Sequence, residues 1–184
     1  MAYLPDGGDL THCVQKIVRR FVTQLSPGDT SCIPKVRAIR TVPHFARLAE
    51  ELAPVEALNG NRASASERRL ASAALETVGD VIARFLITFG IGSGLRGGEF
   101  TYTINPSGYD FVLDHVKWTD DVQVSGTISW NQFTDAISAD VKLSQNGRRV
   151  GRLDIDWNDG QRNAVAQLSG TVGDSRLEAR RIAP

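Results

Sequence analysis

From Gly98 to Ile182 apolar and polar residues alternate with a period of two. Phe100, Tyr102 and Ile104 are separated by Thr101 and Thr103, and Ile137, Ala139, Val141 and Leu143 by Ser138, Asp140 and Lys142. This period places each apolar set on one face of a pleated strand. Seven such stretches follow one another: EFTYTI, YDFVLDHV, VQVSGTISW, AISADVKL, VGRLDIDW, NAVAQLSGTV and RLEARRI. Turn formers at Asn105-Pro106-Ser107-Gly108, Asn146-Gly147, Asn158-Asp159-Gly160 and Gly173-Asp174 punctuate them. The pattern predicts an antiparallel β domain over 98–184, a sandwich or partly open barrel of about seven strands.

The first half of the chain carries the other period. Behind Asp9, a candidate N-cap, Leu10, Cys13, Val14, Ile17, Val18, Phe21, Val22 and Leu25 recur at three- and four-residue intervals until Ser26-Pro27-Gly28. These spacings predict an amphipathic helix of about four turns. Lys16, Arg19 and Arg20 fall on its solvated side. A connector with Pro34, Pro43 and Pro54 follows, with one short helical candidate at 45–52. A second helix opens at Ser64, which stands three residues before Glu67 in capping-box spacing. It runs to about Thr88 or Phe89 with Ala71, Ala74, Leu75, Val78, Val81, Ile82, Phe85 and Leu86 on its buried side. The expected class is therefore α+β, N-terminal amphipathic helices ahead of the β domain, with a helical segment over 1–97 that ends in the Gly-rich hinge Gly90 to Gly98.

Composition narrows the partners. With 184 residues, 21 basic and 21 acidic, the chain is long enough for a core and offers no net charge to nucleic acid. The longest apolar stretch, Val81 to Ile91, contains Arg84 and is too short for a membrane span. The opening MAYLPDGGDL has neither a basic n-region nor an apolar h-region. The expectation is a cytosolic chain or a piece of a longer exported one.

Motifs that would carry chemistry fail on order or spacing. The glycines of GIGSGLRGG follow a helix and precede a strand, the reverse of a phosphate-binding loop. Counted from Asp154 as a calcium loop, the sixth and twelfth positions hold Asp159 and Val165 instead of Gly and Glu. An echo, VSGTI at 124–128 and LSGTV at 168–172, marks two equivalent strand positions where glycine relieves crowding or permits a bulge. No serine lies in a GxSxG elbow, and His12, His44 and His115 read as structural. Cys13 and Cys32 lie outside any CxxC pattern. They either pair, closing a loop of about 20 residues worth on the order of 3 kcal/mol, or remain two thiols. No catalytic, cofactor-binding or metal-binding residue is assigned. Trp118, Trp130 and Trp157 are candidate contacts for a carbohydrate or protein ligand, although Trp130 and Trp157 fall in phase with inward residues.

The segment DLTHCVQKIVRRFVTQLSPGDTSC, anchored by Asp9, Cys13, Gly28, Asp29, Thr30, Ser31 and Cys32, resembles the end of the core in secreted α/β-hydrolases of the tripeptidyl-aminopeptidase type. The stretches RTVPHFARLAEELAP, GNRAS, ETVGDVIARFL and GLRGGEF are similar to the C-terminal extension of some actinobacterial members. The family's nucleophile, oxyanion donors and acid lie upstream of the matched segment. Its histidine would fall around Leu4 to Gly8, where this chain has none. The resemblance implies a non-catalytic C-terminal accessory region that needs no cofactor and packs on, or shapes access to, a serine hydrolase core. It also implies a Cys13–Cys32 disulfide and an extracellular or cell-envelope location if the parent chain is exported. The alternative, read from the residues, is a free-standing β-sandwich binding module for a carbohydrate or protein partner. In the enzymes it resembles, the first helix packs on the hydrolase sheet, so its stripe, with Ile17 and Phe21, is expected to support a weak homodimer or another protein contact.

Overall fold

The computed structural model describes residues 12–33, 45–161 and 163–184. The chain divides into two compact units, 1–44 and 45–184. Hydropathy places the break at the Gly90–Gly98 stretch instead, because a long helix there gives way to alternation. In the second unit that helix and the strands share one core.

In the first unit, helix α1 spans Cys13–Gln24. His12 precedes it in the left-handed region without a side-chain cap, and Leu25 ends it in the same region, its N–H donating to the Phe21 carbonyl. The Asp9 cap and Leu10, like Pro34, Pro43 and His44 of the connector, lie outside the described residues. Cys13 and Cys32 are joined as a disulfide, which closes the loop that begins with the helix.

The second unit is one open sheet of nine strands with the order β1-β9-β8-β7-β6-β5-β4-β3-β2. Strands β1 (Glu56–Ala57) and β2 (Gly92–Ser93) are two-residue pieces at the two edges. The seven long strands are β3 (Glu99–Asn105), β4 (Gly108–Val116), β5 (Val122–Asn131), β6 (Ala136–Gln145), β7 (Arg148–Asn158), β8 (Val165–Val172) and β9 (Ser175–Ile182). All neighbours are antiparallel and, from β2 onward, follow chain order, as short turn-forming connections dictate. The expected sandwich or barrel does not form. Alternation specifies one apolar face and leaves open what covers it. Here the cover is helix α2, Ala65–Thr88, not a second sheet.

Helix α2 starts where the capping-box spacing places it. The Ser64 hydroxyl accepts from Glu67 N–H and the Glu67 carboxylate accepts from Ser64 N–H. The helix buries Ala71, Ala74, Leu75, Val78, Val81 and Phe85 against the inward rows of the sheet. Ala71, Ala73 and Ala74 keep its first half slim, and Phe85 fills the second half among Tyr102, Tyr109 and Phe111, with ring centroids 4.7–5.1 Å away. Below the helix one inward row runs Leu113, Gly126, Val141, Leu153, Gly170, Leu177 from β4 to β9. Its two glycines are the centres of the repeated SGT motif. They hold φ of 150° and 136°, and a Cβ there would stand 2.1 Å from the Asp140 carbonyl oxygen on β6 and 2.3 Å from that of Arg152 on β7, respectively. Glycine at both positions thus permits a bend in the strand that a side chain would oppose.

Around the helix, extended connector segments seal the core. A single 3-10 turn at Ala49–Glu51 stands where the short helical candidate was expected. The Gly-rich stretch is not a free hinge. It forms β2 against Phe100 and Glu99, and the Lys117 carbonyl accepts from Arg96 N–H. No described helix is long and apolar enough to cross a membrane, a statement that does not extend to β-barrels.

Candidate functional site

Because α2 covers one face of the sheet, the other face is polar. One row crosses it as Thr103, Asp110, Ser129, Ser138, Asp156, Gln167 and Arg180. The next runs Thr101, Val112, Thr127, Asp140, Asp154, Ser169 and Glu178. Where β4 to β7 carry these rows, an open groove of about 560 Å³ is lined by Asp110, Thr127, Ser129, Ser138, Asp140, Asp154 and Asp156, with Ile128 and Ala139 between them. Strands spaced about 4.8 Å apart bring these side chains side by side, although they are far apart in sequence.

Two of the carboxyls are pushed in opposite directions. The Arg152 guanidinium donates to both Asp140 oxygens, from Nε at 2.8 Å to Oδ1 and from Nη2 to Oδ2. This bond, aided by the charges of Arg152 and Lys142, holds the Asp140 carboxyl below its usual range. Asp156 is raised, first by burial and then by the neighbouring charge of Asp154. The groove therefore offers hydroxyls that donate or accept and carboxylates that accept, a lining suited to hydroxyl-bearing or cationic groups. Among the described residues no three acidic, His or Cys side chains converge as a metal-binding set.

A second constellation sits at the end of β4. The β4–β5 register shifts between Leu113 and Val116, and within that bulge His115 takes φ of 53°. Its Nδ1 lies 2.5 Å from Asp114 Oδ1, and its main-chain N–H donates to Ser125 Oγ at 2.9 Å. Acid, imidazole and hydroxyl thus meet in one place, but not in relay order. The hydroxyl is held by the histidine's backbone, and among the described residues no hydrogen bond joins it to the imidazole.

Of the residues singled out in the sequence, Asp154 lines the groove and His115 stands at the bulge, and the others fall elsewhere. The disulfide leaves neither Cys13 nor Cys32 as a thiol. Ile17 is half-buried and Phe21 is exposed, both in α1 of the first unit. Trp118, Trp130 and Trp157 are buried, and Trp130 and Trp157 belong to the core on the inward face beside Ile137. Asp154 and Asp156 point outward, as the alternation requires. The groove itself escaped sequence reading. Its signal, polar residues at outward positions of β4 to β7, is the same as that of an ordinary solvated sheet face until the register is known. The meeting of His115 with Ser125 depends on a bulge that no residue pattern announces.

Comparison of the chain with protein-family models, with curated proteins and with solved structures finds no match.

Proposed function

We propose that this chain is a non-catalytic accessory region that packs on, or shapes access to, the core of a secreted serine α/β-hydrolase of the peptidase or esterase kind. The observation that carries this reading is the Cys13–Cys32 bond, which ties α1 to the PGDTSC turn behind it. A helix bearing one cysteine and followed by a second is the feature on which the resemblance rests, and a structural disulfide suits an oxidising compartment. Further support comes from the second unit, whose helix and sheet make a core of their own and leave a whole polar face free for contacts. In this reading the chain supplies surface and rigidity, and the chemistry belongs to the core it serves.

The experiment is direct. Purified protein incubated with p-nitrophenyl esters and aminoacyl-peptide reporters is expected to give the buffer rate. Turnover that persists through repurification and disappears in His115→Ala would overturn the reading, since His115 with Asp114 is the one oriented imidazole–carboxylate pair among the described residues.

A second reading, a free-standing binding module, is favoured by one observation, the groove lined by Thr127, Ser129, Ser138 and four aspartates. It rests on these polar groups and not on the tryptophans. Glycan-array binding that is lost in Asp140→Asn and Asp156→Asn would select it over the accessory role.

A further inference from the structure

The two edges of the sheet are finished differently. At the β9 edge, β1 pairs with Arg180 and Ala179, and the chain then continues alongside, with Leu58 N–H donating to the Glu178 carbonyl and Arg62 and Ala63 N–H to that of Arg176. Charged pairs Arg180–Glu56 and Arg176–Glu178 line this edge. Loop cover and charge of this kind are the usual means of preventing edge-to-edge pairing.

The β3 edge is covered only in part, at its Glu99 end. Strand β2 reaches only Phe100 and Glu99, so no described strand pairs with Thr101 to Asn105 on the outer side. Those five residues, Thr-Tyr-Thr-Ile-Asn, carry no charge and no proline. Apolar side chains flank them: Ile104 is 75% exposed, Phe89 61% and Ile91 73%. Phe89 is held to this edge by its carbonyl, which accepts from Tyr102 Oη at 3.2 Å.

From this geometry we infer that the open β3 edge is a self-association site whose occupant is the same strand of a second copy, paired antiparallel about a two-fold axis at Thr103. A two-fold contact places each patch against itself. The register at Thr103 sets Thr101 against Asn105, Tyr102 against Ile104 and Thr103 against its own copy. An aromatic side chain then faces a β-branched one, polar faces polar, and no like charges meet, which are the cross-strand pairings that stabilise a sheet. The pairing would continue the sheet across two chains and cover Ile104 and Phe89. Five paired residues per copy bury less than a standard stable interface, so the dimer is weak and forms at high protein concentration.

Sedimentation equilibrium over a concentration series tests this on the full chain. Thr103 is exposed, so its substitution spares the core. Thr103→Lys or Thr103→Glu alone, each placing like charges across the axis, is expected to raise the dimer dissociation constant about 5-fold or more. An equimolar mixture of the two variants should recover wild-type association, and Ile17→Asp with Phe21→Asp in α1 should leave it intact. Wild type that stays monomeric at every concentration, single variants that associate like wild type, a mixture without recovery, or association abolished by the α1 pair would each overturn the inference.

Discussion

If α2 stands in the place of a second sheet, emptying its largest contact should cost more than any surface change in the chain. Phe85 is the residue to remove. It is fully buried, lies on the helix face turned to the sheet, and touches Tyr102, Tyr109 and Phe111 from β3 and β4 as well as Phe89 beyond its own helix. Phe85→Ala deletes the ring and leaves a cavity among rigid strands, a change that costs about 3–5 kcal/mol. Against a domain stability of roughly 5–15 kcal/mol, that is a large share. For a domain near this size each kcal/mol shifts the melting midpoint by about 2–4 °C, so a drop on the order of 6–20 °C is expected. Urea titration followed by tryptophan fluorescence reads the unit directly, because Trp118, Trp130 and Trp157 are all buried in it. Phe89→Ala, whose ring is largely exposed, is the matched control and should cost less than about 1 kcal/mol. A Phe85→Ala cost no greater than that of Phe89→Ala would refute the packing of α2 on the sheet.

Three further outcomes follow from the same structure. Gly126→Ala and Gly170→Ala each force a side chain into positive φ against a neighbouring carbonyl, and each should destabilise by about 1–3 kcal/mol in urea titration, whereas Gly147→Ala, in an open turn, should cost less. The Glu76 carboxyl is raised above 4.5, by burial first, with Arg181 acting in the opposite sense. Its folded form therefore binds protons more readily than its unfolded form, so its contribution to stability improves as pH falls from neutral through the folded pKa, a window above 4.5. Wild type should gain on Glu76→Gln over that window, and parallel pH profiles would count against the assignment. Alkylation under denaturing, non-reducing conditions should modify no cysteine in wild type and one in Cys32→Ser, with a stability loss on the order of 3 kcal/mol in that variant; two modified thiols in protein made under oxidising conditions would contradict the bond.

Much of the fold was legible because short-range periodicity specified it. The seven alternating stretches are strands, and Ser64 with Glu67 marks the start of α2. Trp130 and Trp157 could be placed by phase, since Trp157, for one, shares its parity with Leu153 and Ile155. What failed to show was anything set by partners distant in sequence. An apolar strand face reads the same under a helix as under a second sheet, so alternation points to a sandwich or barrel where the structure has an open sheet. Two-residue strands such as Glu56–Ala57 are too short to carry a period. The candidate site was the least legible part. Asp110, Ser129, Ser138 and Asp156 become one row only through the register of four strands, and the bulge at His115 brings Ser125 beneath its backbone by a shift that nearby sequence does not encode.

The proposal that the chain serves a hydrolase core and performs no chemistry itself is tested by titrating it into a tripeptidyl-aminopeptidase-type core truncated at the segment this chain resembles. Binding is followed by calorimetry and hydrolysis by peptide reporters of increasing length. The account predicts saturable binding and a change in KM that grows with peptide length, while kcat for the smallest reporter stays constant. Absence of binding, or a rate increase that scales with added chain in a core whose nucleophile has been removed, would contradict it.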